Sequence, residues 1–278
     1  MNIKVKLQPC NEQSCKLAAL YNTIHCWQHH PDRHQWLDEV ESLALSEMPV
    51  ADANFYEANF SELNLSGLHA VNSNFNSVNF HNCKIHNTEL RDSHMMRCRF
   101  DTADINASNL TGVNLNCSYG SELIAKDCHF EKSQARHCTF TKSDFSKSDF
   151  SHSDWTYANL SGSNLTEIEA ENWMAPWINL SDAILKGANC EMAVLGRAQM
   201  TKVDASRSNF KRANLNGIIG IYGNFSHARM YYARLTAAKL DFANSEITKT
   251  VFRVAELKGA NLKGSTKLQS TWDRTRYV

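Results

Sequence analysis

Ser143-Asp144-Phe145-Ser146-Lys147-Ser148-Asp149-Phe150-Ser151-His152-Ser153-Asp154-Trp155 repeats every five residues: a small residue, an acid, a large aromatic, then two polar residues. The same beat runs outward in both directions. One row takes every fifth residue from Ala53 to Ala238, and a second from Phe55 to Leu240. Together they hold 76 positions without one Asp, Glu, Lys, Arg, His, Asn or Gln, in a chain of 278 residues that is 21% charged. A five-residue period suits neither an α-helix, which repeats near 3.6, nor a flat strand, which repeats at 2. It predicts a coil whose short sides each spend five residues and turn two of them inward.

The two rows differ in kind. The first is dominated by small and β-branched residues such as Ala58, Ser73, Val78, Cys83 and Ala188. The second is mostly large, with Phe60, Phe80, Phe100, Phe140, Phe145, Phe150 and Leu160 among its core residues. Asn or Asp often separates them, as in Ala58-Asn59-Phe60, which is the alternation of an extended segment. Ser, Gly, Thr, Asn and Lys then supply a tight turn. Phe60, Phe80, Phe100 and Phe140 recur at multiples of 20, with Gly120 as a gap, and Phe55 and Phe75 start a second ladder. A 20-residue coil would stack each set along one wall.

These quintets resemble the pentapeptide-repeat family, whose consensus is Ala-(Asp/Asn)-Leu-x-x with Leu or Phe as the large residue. The resemblance covers 51–264 and implies an all-β solenoid, a right-handed quadrilateral β-helix with four quintets per coil. Ten coils at about 4.8 Å each would make a rod roughly 50 Å long. After Leu240 the frame slips by two and resumes at Ile247, Phe252, Leu257 and Leu262.

Three segments follow: a cap over 1–50, the repeats over 51–264 and a tail over 265–278. In the first, Ile3, Val5 and Leu7 alternate as a short strand. Leu17, Leu20, Tyr21, Ile24 and Trp27 follow helical spacing, with Asn11 as its cap and Pro31 as its stop. Asp32 and Gln35 form a capping box for a second helix carrying Trp36, Leu37, Val40, Leu43 and Ala44. The expected product is an α-helical hairpin that plugs the N-terminal end of the rod, where interior and unpaired backbone would otherwise be exposed. Trp272, Tyr277 and Val278 close the other end or pair with a second copy, since family members that dimerise do so there.

The chemistry-bearing residues are few. His25 and His29 lie four apart on the first expected helix, a spacing that zinc can bridge, but no spaced cysteine pair completes a site and none is expected. No cofactor or catalytic motif is present, and a uniform rod offers no concave pocket, so the chain is expected not to be an enzyme. The nine cysteines read as reduced thiols of a cytoplasmic protein, and no apolar stretch is long enough to cross a bilayer.

One break interrupts the repeats. Trp173 falls in the small row and Pro176 cannot donate to a ladder, so 167–177 is expected to bulge or, since the frame is kept from Leu165 to Leu180, to form three distorted rungs. Glu167, Glu169 and Glu171 beside Trp173, Met174 and Trp177 would then form a protein-binding hot spot. Milder departures are expected at 119–125 and 218–223.

Net charge runs −2 over 1–50, −4 over 51–165 and +6 over 166–278. Quinolone-resistance and mycobacterial members of the resembled family imitate duplex DNA and bind DNA gyrase, which calls for a strongly acidic rod. Nor do Arg197, Lys202, Arg207 and Arg212, each five apart, make a one-sided nucleic-acid stripe. The reading that results is a non-enzymatic scaffold for a protein partner. The alternatives are a gyrase or topoisomerase IV-binding DNA mimic and a secreted bacterial effector.

Overall fold

The computed structural model describes residues 8–46 and 48–238. The expected N-terminal strand, the frame slip after Leu240, the tail and any dimer contact there lie outside the described residues.

Each quintet pairs with the one 20 residues later. Parallel bridges at Asn54↔Asn74, Asn59↔Asn79, Asn64↔Lys84 and His69↔Glu89 open four rows, which continue to Asn214↔Arg234. The pairing alternates direction: Phe55 N–H donates to Asn74 C=O at 2.7 Å, and Asn74 N–H returns to Ala53 C=O at 2.8 Å. The all-β expectation needs one correction. Continuous strands are confined to β1 (Val50–Ala51) with β2 (Ala70–Val71) and β3 (Tyr119–Ser121) with β4 (Thr139–Thr141). Elsewhere the ladder consists of single-residue bridges and no closed sheet forms among the described residues, because two residues of every five are spent on the turn. The expected departure at 119–125 is absent, since β3 sits there in register.

The sequence explains each turn. Phe55 C=O accepts from Ala58 N–H at 3.0 Å, while Glu57 between them has φ +61°. A positive φ at the third position is what a type II turn requires. The Asn or Asp that flanks each large residue then accepts from the N–H two residues on, as in Ser146 N–H to Asp144 Oδ1 at 3.0 Å and Ser151 N–H to Asp149 Oδ1 at 2.8 Å. This accounts for Pro176: it occupies that donor position, and the residue two before it is Met174, which has no oxygen to receive a bond. No donor is lost, and the ladder does not need one there.

Both silent rows are buried throughout the described coils, apart from a half-buried Leu63. Aromatic rings stack up the wall as expected, with Phe80 and Phe100 at 5.0 Å and Phe55 and Phe75 at 4.7 Å. Phe100 and Phe140 reach 5.9 Å across the Gly120 gap. Burying each such side chain contributes about 2–3 kcal/mol.

Segment 167–177 does not bulge. Trp173 is fully buried, with its ring 5.6 Å from Phe150, and every bridge stays in register. The large row carries Ala170 and Ala175 on either side of Trp173, so large and small have exchanged places and the filled volume is kept.

The cap also differs from expectation. The second helix forms: α1 runs Arg33–Leu45, with Gln35 N–H donating to Asp32 Oδ1 at 3.0 Å. Its buried face, Trp36, Val40 and Ala44, covers the first coil, and Trp36 lies 6.0 Å from Phe60 in a stacked arrangement. The first helix does not form. Residues 8–30 fold through turns at Ser14 (φ +68°) and Asn22 (φ +55°) and a single 3-10 turn, Trp27–His29. Beside a few local turn bonds, their backbone bonds reach further than a helix allows, from Cys10 N–H to Leu17 C=O, Asn11 N–H to Ile24 C=O and Leu20 N–H to His25 C=O. Helical spacing was a coincidence of side chains that serve two different contacts: Leu20 enters the core, whereas Ile24 is exposed. No described helix is long and apolar enough to cross a membrane.

Candidate interaction edge and cysteine cluster

Coil geometry brings residues 20 apart into columns. The column through the second turn position of one corner contains His137, Tyr157, Trp177 and Arg197, all exposed and all with φ between +56° and +62°. His137 stacks on Tyr157 at 5.0 Å and 8°, and Tyr157 on Trp177 at 6.0 Å and 20°. The Arg197 guanidinium lies 4.5 Å from the Trp177 ring centroid. Gly217 follows in the column, and a Cβ there would come within 3.3 Å of the Arg197 Cγ, so the missing side chain gives Arg197 its seat. Met174, exposed, bridges to Val194 on the adjoining face and widens the apolar strip.

The expected hot spot is therefore split. Trp177 and Met174 are on the surface, Trp173 is in the core, and Glu167 lies ten residues, half a coil, from Trp177. Glu169 turns outward on another face and accepts from Asn189 Nδ2 at 2.8 Å, and Glu171 sits at the next corner. The signal that was missed is a spacing of 20 in the exposed row, where His137, Tyr157 and Trp177 could have been counted together.

A second cluster lies in the cap. The sulfurs of Cys10, Cys15 and Cys26 and a ring nitrogen of His29 all fall within 4.8 Å of one another. His29 Nδ1 is 3.3 Å from Cys26 Sγ and 3.6 Å from Cys10 Sγ, while Cys15 Sγ is 3.9 Å from Cys26 Sγ. Cys26 N–H donates to Cys10 Sγ at 3.4 Å. Burial works against ionising Cys10, but the Cys26 and Glu12 backbone groups with the His29 and Cys26 side chains outweigh it and hold the thiol down at about 6. Burial raises Cys26 instead. The sequence pairing of His25 with His29 is overturned: no helix carries both, and the His25 ring packs edge-on against His30 at 6.2 Å. The core thiols differ from the cluster. Burial pushes Cys98, Cys128 and Cys190 up to about 12, which leaves them inert.

The pentapeptide repeats family model matches residues 53–92, 143–167 and 178–217 in eight copies. These stretches are pentapeptide repeats. No curated protein matches it in sequence. Among solved structures, the repeat rod is similar to HetL of the cyanobacterium Nostoc sp. strain PCC 7120, a pentapeptide repeat protein involved in heterocyst differentiation regulation. That likeness has 17% identity, covers 82% of this chain and 90% of HetL, and gives a TM-score of 0.32. It is also similar to QnrB1, a plasmid-mediated fluoroquinolone resistance protein, at 13% identity over 77% of this chain and 89% of that one, with a TM-score of 0.30. A thylakoid-lumen pentapeptide repeat protein from Arabidopsis thaliana gives 22% identity, 40% and 68% coverage and a TM-score of 0.27. Similarities at this level carry no functional argument. What distinguishes this pentapeptide-repeat rod is written in its outer columns and its cap.

Proposed function

We propose that the chain is a non-enzymatic scaffold, a right-handed four-sided rod, that docks a protein partner in the cytosol along the His137–Tyr157–Trp177–Arg197 corner. The observation that carries this reading is the exposed stack of Tyr157 and Trp177 under the Arg197 guanidinium. Tyr, Trp and Arg are the residue types that dominate protein interfaces, because a rigid ring buries a large area and loses little conformational entropy. Here the ladder beneath them already fixes their spacing, which lowers the cost of ordering them on binding. The nine free thiols favour a reducing compartment.

Duplex mimicry has less support. The carboxylates of Glu89, Asp101, Asp144, Asp154 and Glu191 are each paired with a cation on the rod itself, within 3.2 Å. Such pairing breaks up the continuous negative field that a DNA-binding channel attracts.

The test places a photo-crosslinking amino acid at the exposed position 174 beside the column, or at the exposed Lys132 corner as a control, in the cells of origin. Partner adducts at 174 that are lost when Trp177→Ala or Arg197→Ala is introduced support the reading. Equal labelling at 132 and 174 would overturn it.

A further inference from the structure

We propose that Cys10, Cys15, Cys26 and His29 bind one zinc ion as a closed four-ligand site that pins the N-terminal cap to the rod.

The donor set is three thiols and one imidazole, the chemistry of a structural zinc site. The geometry agrees with that chemistry. Zinc–sulfur bonds of about 2.3 Å and zinc–nitrogen bonds of about 2.0 Å imply tetrahedral edges of roughly 3.8 Å between sulfurs and 3.5 Å between sulfur and nitrogen. The observed separations are 3.9 Å for Cys15 to Cys26, 3.6 Å for Cys10 to His29 and 3.3 Å for Cys26 to His29. A disulfide explains less. Its sulfurs must close to about 2.05 Å, and it would employ two of four converging groups without a reason for the other two. The Cys26 N–H on Cys10 Sγ is the kind of outer bond that steadies a metal-bound thiolate. On binding, the thiols lose their protons to solvent and the imidazole ligates in its neutral form. All four positions are filled by protein, so the ion would be structural and would have no open site for a substrate.

The surrounding fold gives such an ion a purpose. Residues 8–30 hold one antiparallel bridge, Pro9↔Ala18, and one 3-10 turn, too little regular structure to stand alone. Between Cys15 and Cys26 lies the piece that grips the rod. Ala19 C=O accepts from Asn54 Nδ2 at 2.7 Å, and Tyr21 N–H donates to Asn54 C=O at 2.7 Å. Tyr21 C=O also receives the Trp36 Nε1–H at 3.0 Å, which ties α1 to the same loop. An ion that closes the 10–29 loop would hold all three contacts and keep Phe55 and Phe60 covered.

The full-length chain, expressed with zinc and purified under reducing conditions, is expected to carry one zinc per chain. Replacing the zinc with Co2+ should produce the visible d–d bands of tetrahedral thiolate coordination together with sulfur-to-cobalt charge transfer. Cys15→Ser and Cys26→Ser should lose stoichiometric metal, whereas Cys117→Ser, which alters an exposed thiol outside the cluster, should keep it. His29→Cys should retain metal with stronger charge transfer, a readout that does not depend on the serine variants folding. A folded parent chain that neither retains zinc nor gives the tetrahedral cobalt spectrum would overturn the proposal, as would a metal-free chain in which Cys15 and Cys26 are linked as a disulfide.

Discussion

Arg197 lays its guanidinium over the Trp177 ring, 4.5 Å from the centroid, on the outside of a rod whose described phenylalanines are all buried. A cation over an exposed indole contributes about 0.5–1 kcal/mol, so the pair matters little to folding. Trp177→Ala and Arg197→Ala should each change stability by less than about 1 kcal/mol in chemical denaturation. Both should nevertheless abolish partner crosslinking. A large stability loss from either would mean the column is structural.

Two serines in the same inward row should respond oppositely to the same change. Ser118 Oγ accepts from Cys98 N–H at 3.0 Å and donates to Met95 C=O at 2.6 Å, so its hydroxyl stands in for the direct turn bond of the previous coil. Ser133 Oγ is just as buried and has no partner. Ser118→Ala should cost about 1 kcal/mol rather than the ~3 of two orphaned groups, because the turn can close directly as it does at Ala58. Ser133→Ala should be neutral or stabilising. Urea midpoints that fall equally for both would contradict the assignment.

Gly120 faces the Phe100 backbone so closely that an added Cβ would lie 2.7 Å from the Phe100 carbonyl carbon. Backbone cannot swing aside as a side chain can. Gly120→Ala should therefore destabilise by about 1–3 kcal/mol. A melting temperature equal to that of the parent would show that the coils can part there.

Trp173 should behave as a core residue despite its place among small ones. Trp173→Ala would leave a cavity lined by Ala170, Ala175 and Phe150, at a cost of about 3–5 kcal/mol. Its fluorescence should resist quenching by iodide, unlike that of the exposed Trp177. Equal quenching of the two in single-tryptophan variants would restore the bulge.

Acid should weaken the rod in a defined window. Burial alone would raise the carboxyl of Asp154, but the Arg136 guanidinium, with the Thr156 hydroxyl and N–H, outweighs it and holds the group below its usual 3.8. Asp101 and Asp144 are lowered too, against their own burial, by Arg99 with Ser121 and by Ser146 with Lys126. A carboxylate with a lowered folded pKa contributes stability that is complete above the unfolded value and is lost as pH falls through the folded one. Stability from these groups should thus hold down to about pH 4 and decline below it. Asp154→Asn should shallow that decline; an unchanged slope between pH 5 and 3 would remove Asp154 from the account.

The repeat was legible because a narrow tube punishes any inward charge, so two rows of the sequence record the interior position by position. Asp32 and Gln35 announced α1 for a similar reason, since a helix start needs local acceptors. Trp173 misled because sequence pattern judges a residue by its own row, whereas volume is shared across rows and Ala170 and Ala175 made room. The helical spacing from Leu17 to Trp27 misled because its backbone bonds reach across the segment. His25 and His29 were paired by a helix that does not exist, and Cys10 and Cys15 were passed over although their Cys-x4-Cys spacing suits zinc, because Cys26 and His29, which complete the set, read as part of that helix.

By itself, then, the order of residues determined a coil of five-residue steps, its 20-residue return and which side chains fill it, since period and burial are local properties of an extended backbone between turns. Tertiary structure alone decided which exposed residues meet. Tyr157 and Trp177 stack only because one coil returns above another, and Cys10, Cys15, Cys26 and His29 converge only because the cap folds back on itself.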